Sequence, residues 1–350
     1  MIHYRSFRNP DPPQLVKLWH ACALGRGAAE GFTTDAFELL VFSQTYFDPA
    51  GLIVACDGSE IVGFVHAGFG CNETQSALDK SIGVICVAMV APRYRRQGIG
   101  KELVKLAEAY LTDSGAQQIQ AGASPGADPF YLGLYGGSQI SGFLESDPLA
   151  APFFESLGYQ PAERFLVYQR AIDKQGWPVS MRLMGIRRKM EVATTEEPNS
   201  PTWWWMTHYG KIETLRFLLT PKGGGHPVAN ASIMGLDFYL PKWQERAIGL
   251  FDLFIPEEER RKGYGQTLIL DVCRRMQAEM ITRAEAHVPA NDTAAIGTSE
   301  SAGFQLVDTG VVYRRSVKPH AEDQELSESE TSDAAVKETI EFSQTEHRTD

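Results

Sequence analysis

Residues 81–111 read SIGVICVAMVAPRYRRQGIGKELVKLAEAYL. Ile82 to Val90 is apolar and uncharged, the pattern of a strand buried on both faces. Pro92 ends the run, and Arg93 to Gly100 form a short basic loop with glycines at Gly98 and Gly100. Ile99, Leu103, Leu106, Ala107, Tyr110 and Leu111 then recur at helical spacing. A buried strand feeding a glycine loop at a helix N-terminus is built to take an anion. The free backbone N–H groups and the helix dipole both favour phosphate.

The loop Arg95-Arg96-Gln97-Gly98-Ile99-Gly100-Lys101 is not a P-loop, because Lys101 is followed by Glu102 and no GxxxxGK[ST] is present. It lacks the third glycine of the dinucleotide fingerprint and lies mid-domain, away from a first βα turn. The unit then recurs. Ile248 to Ile255 (IGLFDLFI) is apolar except for Asp252, and Pro256 follows. Next come Arg260-Arg261-Lys262-Gly263-Tyr264-Gly265-Gln266 and a helix with Leu268, Ile269, Val272 and Met276 on one side. Two copies of one strand–loop–helix unit set the architecture.

The loop resembles motif A of the GNAT superfamily of acyl-CoA N-acyltransferases, [RQ]-x-x-G-x-[GA] preceded by V-x-P. The order of elements around it, β-α-α-β-β-β-α-β-α-β over residues 1–172, is similar to the complete GNAT layout. The expected fold is therefore α/β: two tandem GNAT domains, each a twisted mixed sheet flanked by helices. The expected divisions are 1–172, a linker at 173–180, a second domain at 181–316 and an acidic disordered tail at 317–350. Met181 to Pro201 shows no clear helical period, so the second domain is expected to lack clear N-terminal helices. Val228 to Leu240 reads as one strand. The final strands, Phe165 to Ala171 and Gly310 to Arg315, would each close their own sheet.

Composition narrows the function classes. The 350 residues are 43% hydrophobic and 22% charged, as in ordinary globular proteins. No apolar run approaches the length needed to cross a bilayer, and no signal peptide opens the chain, so a cytoplasmic location is expected. Five scattered cysteines and eight histidines without HxxxH or HExxH spacing argue against a disulfide framework or a metal site. Of the net charge of −11, residues 321–350 hold ten acidic and two basic residues, so the body is nearly neutral. That argues against a dedicated nucleic-acid binder. The tail reads as a solubilising extension or, alternatively, a docking segment.

The resemblance implies acetyl-CoA, or another acyl-CoA, as co-substrate, with its pyrophosphate at the glycine loops. It assigns that role to Arg95, Arg96, Gln97, Gly98, Ile99, Gly100 and Lys101, and to Arg260, Arg261, Lys262, Gly263, Tyr264, Gly265 and Gln266. The pantetheine would lie in a gap beside the backbone of Met89, Val90 and Ala91, and of Phe254 and Ile255. It places the general base three residues before the end of the motif A strand. That position is Val87 in the first half, which cannot serve, and Asp252 in the second. The acid is commonly a tyrosine four residues before the last Gly-aromatic pair, where this chain has Phe154 and Ser299. Asn291 matches an asparagine that bonds the cofactor in many relatives.

These residues favour an N-acyltransferase acting on the primary amine of a small molecule, with the second half as catalyst. The missing tyrosines leave open a non-catalytic acyl-CoA sensor or scaffold, and a protein-lysine acetyltransferase is a third reading. Two features fit no motif. The insertion around Phe130-Tyr131-Leu132-Gly133-Leu134-Tyr135-Gly136-Gly137 and the run Trp203-Trp204-Trp205 could wall an acceptor pocket or seal the repeats together. His208, Tyr209 and His226 lie near that run.

Overall fold

The computed structural model describes residues 1–172, 174, 176–198 and 201–316, so the acidic tail expected at 317–350 lies outside the described residues. The N-terminal half begins with β1 (Ile2–Ser6) and α1 (Pro12–Ala21). Prolines occupy the first turn of α1, where no N–H is missed. Helix α2 (Thr34–Phe37) continues into a wider π turn at Glu38–Phe42. Strands β2 (Leu52–Asp57), β3 (Glu60–Cys71) and β4 (Leu78–Val90) form a meander, β2 and β3 joined by the Asp57-Gly58 turn. Helix α3 (Ile99–Asp113) follows the glycine loop, then β5 (Gln118–Ala121), the short β6 (Phe143–Leu144), α4 (Ala150–Ser156) and β7 (Gln160–Ala171).

The C-terminal half differs from expectation at its start. Residues 181–201 contain α5 (Met181–Lys189) and β8 (Met190–Thr195). The N-terminus of α5 is fixed by Ser180, whose hydroxyl accepts from Leu183 N, and Arg187, Arg188 and Lys189 suit its negative C-terminus. Only Leu183 and Ile186 of α5 are buried, too few to print a period. The tryptophan run is itself a helix, α6 (Trp203–Tyr209), capped by Thr202. The helical layer is reduced here, not missing. Strands β9 (Thr214–Pro221) and β10 (Ala229–Gly235) follow. The strand expected to reach Leu240 stops at Gly235, because Tyr239 turns in to donate to Gly27 O and accept from Gly137 N. Then come α7 (Leu240–Trp243), β11 (Ala247–Phe254), α8 (Tyr264–Ala278), β12 (Arg283–Pro289), α9 (Thr293–Ser301) and β13 (Gln305–Ser316).

Among the described residues thirteen strands join one sheet, in the order β1-β2-β3-β4-β5-β13-β7-β12-β11-β10-β9-β8, with β6 paired to β13. The closing strands are therefore exchanged. β7 pairs antiparallel with β12 of the other half, and β13 lies between β5 and β7. Val311, Val312 and Tyr313 of β13 are buried in this position. Each such side chain contributes about 1.5–3 kcal/mol of burial to holding the halves together. The expectation that each half closes its own sheet fails for a physical reason. Both closing strands carry a run of consecutive buried residues, and such a run marks burial on both faces without naming a neighbour.

Candidate active site

The two loops superpose residue for residue in conformation. Each follows a short 3-10 turn, Pro92–Tyr94 or Glu257–Glu259. Each then has a left-handed arginine, Arg96 or Arg261, both with φ +61°. Gly98 (φ +81°) and Gly263 (φ +88°) cap α3 and α8, a conformation that glycine adopts without strain. The backbone N–H groups from Arg96 to Lys101, and from Arg261 to Gln266, have no acceptor among the described residues. Glu102 N to Gly98 O and Thr267 N to Gly263 O are the first bonds of each helix. Two clusters of unsatisfied donors at helix N-termini fit the phosphates of a coenzyme A substrate.

The arginines divide by role. Arg95 Nε donates to Val90 O at 3.0 Å and Arg260 Nε to Ile255 O at 3.2 Å, so this pair braces its loop against the strand end. Lys262 pairs with Glu259 at 2.9 Å, Gln97 donates to Arg93 O and Gln266 to Ser301 O. Arg96, Lys101 and Arg261 are exposed and unpaired among the described residues. Gly100 and Gly265 face Phe153 and Ile255, where a Cβ would come within 3.3 and 3.2 Å. These two glycines serve close packing of helix on neighbour. Tyr264 and Ile99 open their helices, Ile99 buried and Tyr264 half-buried.

Beside each loop the sheet parts. β4 pairs parallel with β5 only over Ile82–Ile85, and β11 with β12 only over Ala247–Leu250. Beyond those points the strands run on without each other, to Val90 and Phe254. An unpaired strand edge offers its N–H and C=O groups to an extended ligand. The two edges are unlike in exposure. Cys86, Val87 and Met89 are buried, whereas Asp252 is exposed and Phe254 is 51% exposed.

Asp252 sits in a β-bulge, where the β10–β11 register slips between the pairs Asn230–Phe254 and Ser232–Phe251. Its φ of +51° is left-handed, a strained state for a non-glycine residue. Trp205 Nε1 of α6 donates to Asp252 Oδ2 at 3.2 Å, and Tyr209 stacks on Phe251 with centroids 4.4 Å apart. The residue lies at an open mouth, but the surrounding walls displace much of the water around its carboxyl. This desolvation raises the Asp252 pKa above the usual carboxylate range, while the Trp205 hydrogen bond and the Arg216 charge pull it back.

Ser299 is 4% exposed within α9, with its carbonyl accepting from Phe304 N. Asn291 is exposed at the turn after β12, next to Asp292, which caps α9 by accepting from Ala294 N and Ala295 N. The tryptophan run packs between the two halves and also reaches Asp252. Trp204 seals the halves, donating to Asp128 Oδ1 and stacking on Tyr46 at 5.2 Å, while Trp205 reaches Asp252. His208 is buried as a brace between Trp204 O and Asp128 O, and His226 is exposed in the β9–β10 loop. Among the described residues no group of three or more His, Cys, Asp or Glu could hold a metal ion. No described helix is long and apolar enough to cross a membrane.

The insertion between β5 and α4 packs over β3 of its own, N-terminal half. Phe130 stacks on His66 at 4.1 Å, and Tyr131 Oη lies 2.9 Å from His66 Nδ1. A few residues on, it crosses to the C-terminal half. Ser141 Oγ lies 2.5 Å from His287 Nδ1, and Glu285 meets His287, Arg26 and Gln169. No motif or spacing marks this buried network, whose members are up to 259 positions apart.

The fold therefore carries two copies of one strand, glycine loop and helix unit, each beside a parted strand pair. The acetyltransferase (GNAT) family pattern matches residues 14–134 and again 183–304, more than half of the chain, and the chain belongs to that family. A search of curated proteins finds no match. Among solved structures, a GCN5-related N-acetyltransferase from Sphaerobacter thermophilus has a TM-score of 0.58 at 15% identity, covering 91% of this chain and 96% of that one. A tandem GNAT protein from the clavulanic acid biosynthesis pathway has a TM-score of 0.62 at 15% identity, covering 91% and 99%. A glucosamine N-acetyltransferase region of a fungal multi-domain protein has a TM-score of 0.66 at 16% identity, covering 90% and 38%. At these identities the likeness is one of fold.

Proposed function

We propose that the protein transfers an acetyl, or another acyl, group from acyl-CoA to the primary amine of a small molecule. In this reading the C-terminal half is the catalyst, and the N-terminal loop binds acyl-CoA in a supporting role. The observation that carries it is Asp252, a strained carboxylate with a raised pKa at the mouth of the exposed strand edge.

The chemistry follows from the residues around it. The Arg261–Gln266 donors and Asn291 hold the phosphate end, and the edge of Phe254 and Ile255 receives the extended pantetheine. Asp252 accepts a proton from the amine, whose lone pair then attacks the thioester carbon. A C–N bond forms, and a strand N–H near Ile255 stabilises the oxygen that gains charge. The C–S bond breaks as the carbonyl returns, and the thiolate takes up a proton. Ser299 is assigned no more than the holding of a water for that last transfer.

The test is a turnover assay of the full chain with acetyl-CoA and a panel of amines, following free coenzyme A. Amine-dependent release is expected. Tight acetyl-CoA binding with no release for any amine would favour a non-catalytic sensor and end this reading.

A further inference from the structure

The face of the C-terminal sheet beneath α6 carries polar side chains that the reaction above does not use. Arg216 of β9, Ser232 of β10 and Phe251 of β11 lie side by side across three strands, and Asp252 follows at the bulge. Asn230 is two residues from Ser232 on the same face of β10, opposite Phe254. The alternate residues Phe217, Ala231 and Leu250 point into the core under α8, which places the polar set on the recess side.

Asn230 and Ser232 are 7% and 6% exposed, yet their side chains bond to no protein group among the described residues. Arg216 is half-buried; it feels the Asp252 charge but forms no ion pair among the described residues, and its Nε is buried without an acceptor. Leaving polar side chains this enclosed without a partner costs stability, and such groups are normally satisfied. Their convergence beside a carboxylate base is the pattern of a site whose ligand supplies the missing partners. A guanidinium in that position selects a negative charge, and its planar fork suits a carboxylate or a phosphate.

We propose that Arg216, with Asn230 and Ser232, holds an anionic group on the acceptor, so that the substrate is a small amine carrying a carboxylate or phosphate. This rests on the reading of the C-terminal recess as the acceptor site. Strands two apart are about 10 Å from each other. An arginine reaching across one of them leaves room for a short aliphatic spacer between the anion and the amine at Asp252.

The test uses matched probes titrated by calorimetry into the full chain saturated with coenzyme A. β-Alanine and γ-aminobutyrate are compared with their carboxamides, and aminoethyl phosphate with ethanolamine. Binding at least tenfold tighter for the anionic member of a pair is expected, and the pair that shows it names the anion. In Arg216→Gln the preference should fall below twofold, and Arg216→Lys should restore part of it. Equal binding of charged and neutral partners by the wild-type protein overturns the proposal without any variant. A preference that survives Arg216→Gln also overturns it. The two readings fail separately. Charge-selective binding without turnover would defeat the acyl-transfer reading alone, and turnover without charge preference would defeat this one alone.

Discussion

The same row of the sheet has opposite contents in the two halves. In the N-terminal half it runs Leu52–His66–Val87 and in the C-terminal half Arg216–Ser232–Phe251, with Asp252 next. Phe130 and Tyr131 of the insertion press on the first row, and His66, fully enclosed, is held neutral with its pKa lowered to about 3 by burial. The second row lies beneath α6, which contributes an indole N–H and leaves the edge exposed. The loops show the reverse. Arg93, Arg95, Arg96 and Lys101 surround the first, whereas Glu257, Glu258 and Glu259 precede the second. The more basic surroundings thus lie beside a row covered by the insertion, and the more acidic ones beside a row that α6 covers only as far as the exposed Asp252.

The largest effect is expected where the comparison is sharpest. Asp252→Asn should lower kcat/KM by about 10²–10⁴-fold while sparing acyl-CoA affinity. The wild-type rate should fall as pH drops through the raised pKa of Asp252, because only the carboxylate can accept a proton. That acidic limb should be absent from the variant, and an unaltered pH–rate profile would remove Asp252 as the base. Phe130→Ala should empty the plug over His66 and cost about 3–5 kcal/mol, read as a lowered Tm. Turnover per folded molecule should hardly change. A collapse in kcat with an unchanged Tm would mean that the filled recess is the working one. Trp205→Phe should have the smallest effect. Losing the N–H that holds the Asp252 pKa down should move the acidic limb up by at most about 1 pH unit. An unmoved limb would separate Trp205 from the base.

Much of this arrangement was legible in the sequence because its signals are local. A strand, a left-handed arginine and a capping glycine lie within a few residues of each other, and the motif appeared twice. Asp252 stood out as the charge in an apolar strand. Helix α5 was missed because two buried side chains cannot establish a period, and Gly185 lies in its middle. The strand exchange was missed because β7 and β13 carry no record of which neighbour they choose. The reach of Trp205 to Asp252 spans 47 positions, and the pairing of Ser141 with His287 spans 146. Contacts of that kind are set by the closing of the sheet and leave no spacing to read. Arg95 and Arg260 show a subtler failure. Both belong to the motif, but their guanidinium groups are engaged with strand carbonyls.

The division of labour between the halves is tested most directly by placing the same obstruction in each loop. Gly98 and Gly263 have matching left-handed conformations and both cap helices, so glutamate at either carries a similar backbone penalty. At Gly263 the nearest atom to a new Cβ is the flexible Arg182 side chain, and at Gly98 there is none within 4 Å. Turnover of Gly98→Glu and Gly263→Glu should be measured side by side at saturating amine, with melting curves to show that both fold. The account predicts a loss of at least about a hundredfold for Gly263→Glu, from bulk and negative charge at the pyrophosphate, and no more than a severalfold loss for Gly98→Glu. The opposite order, or equal loss in both, would contradict it.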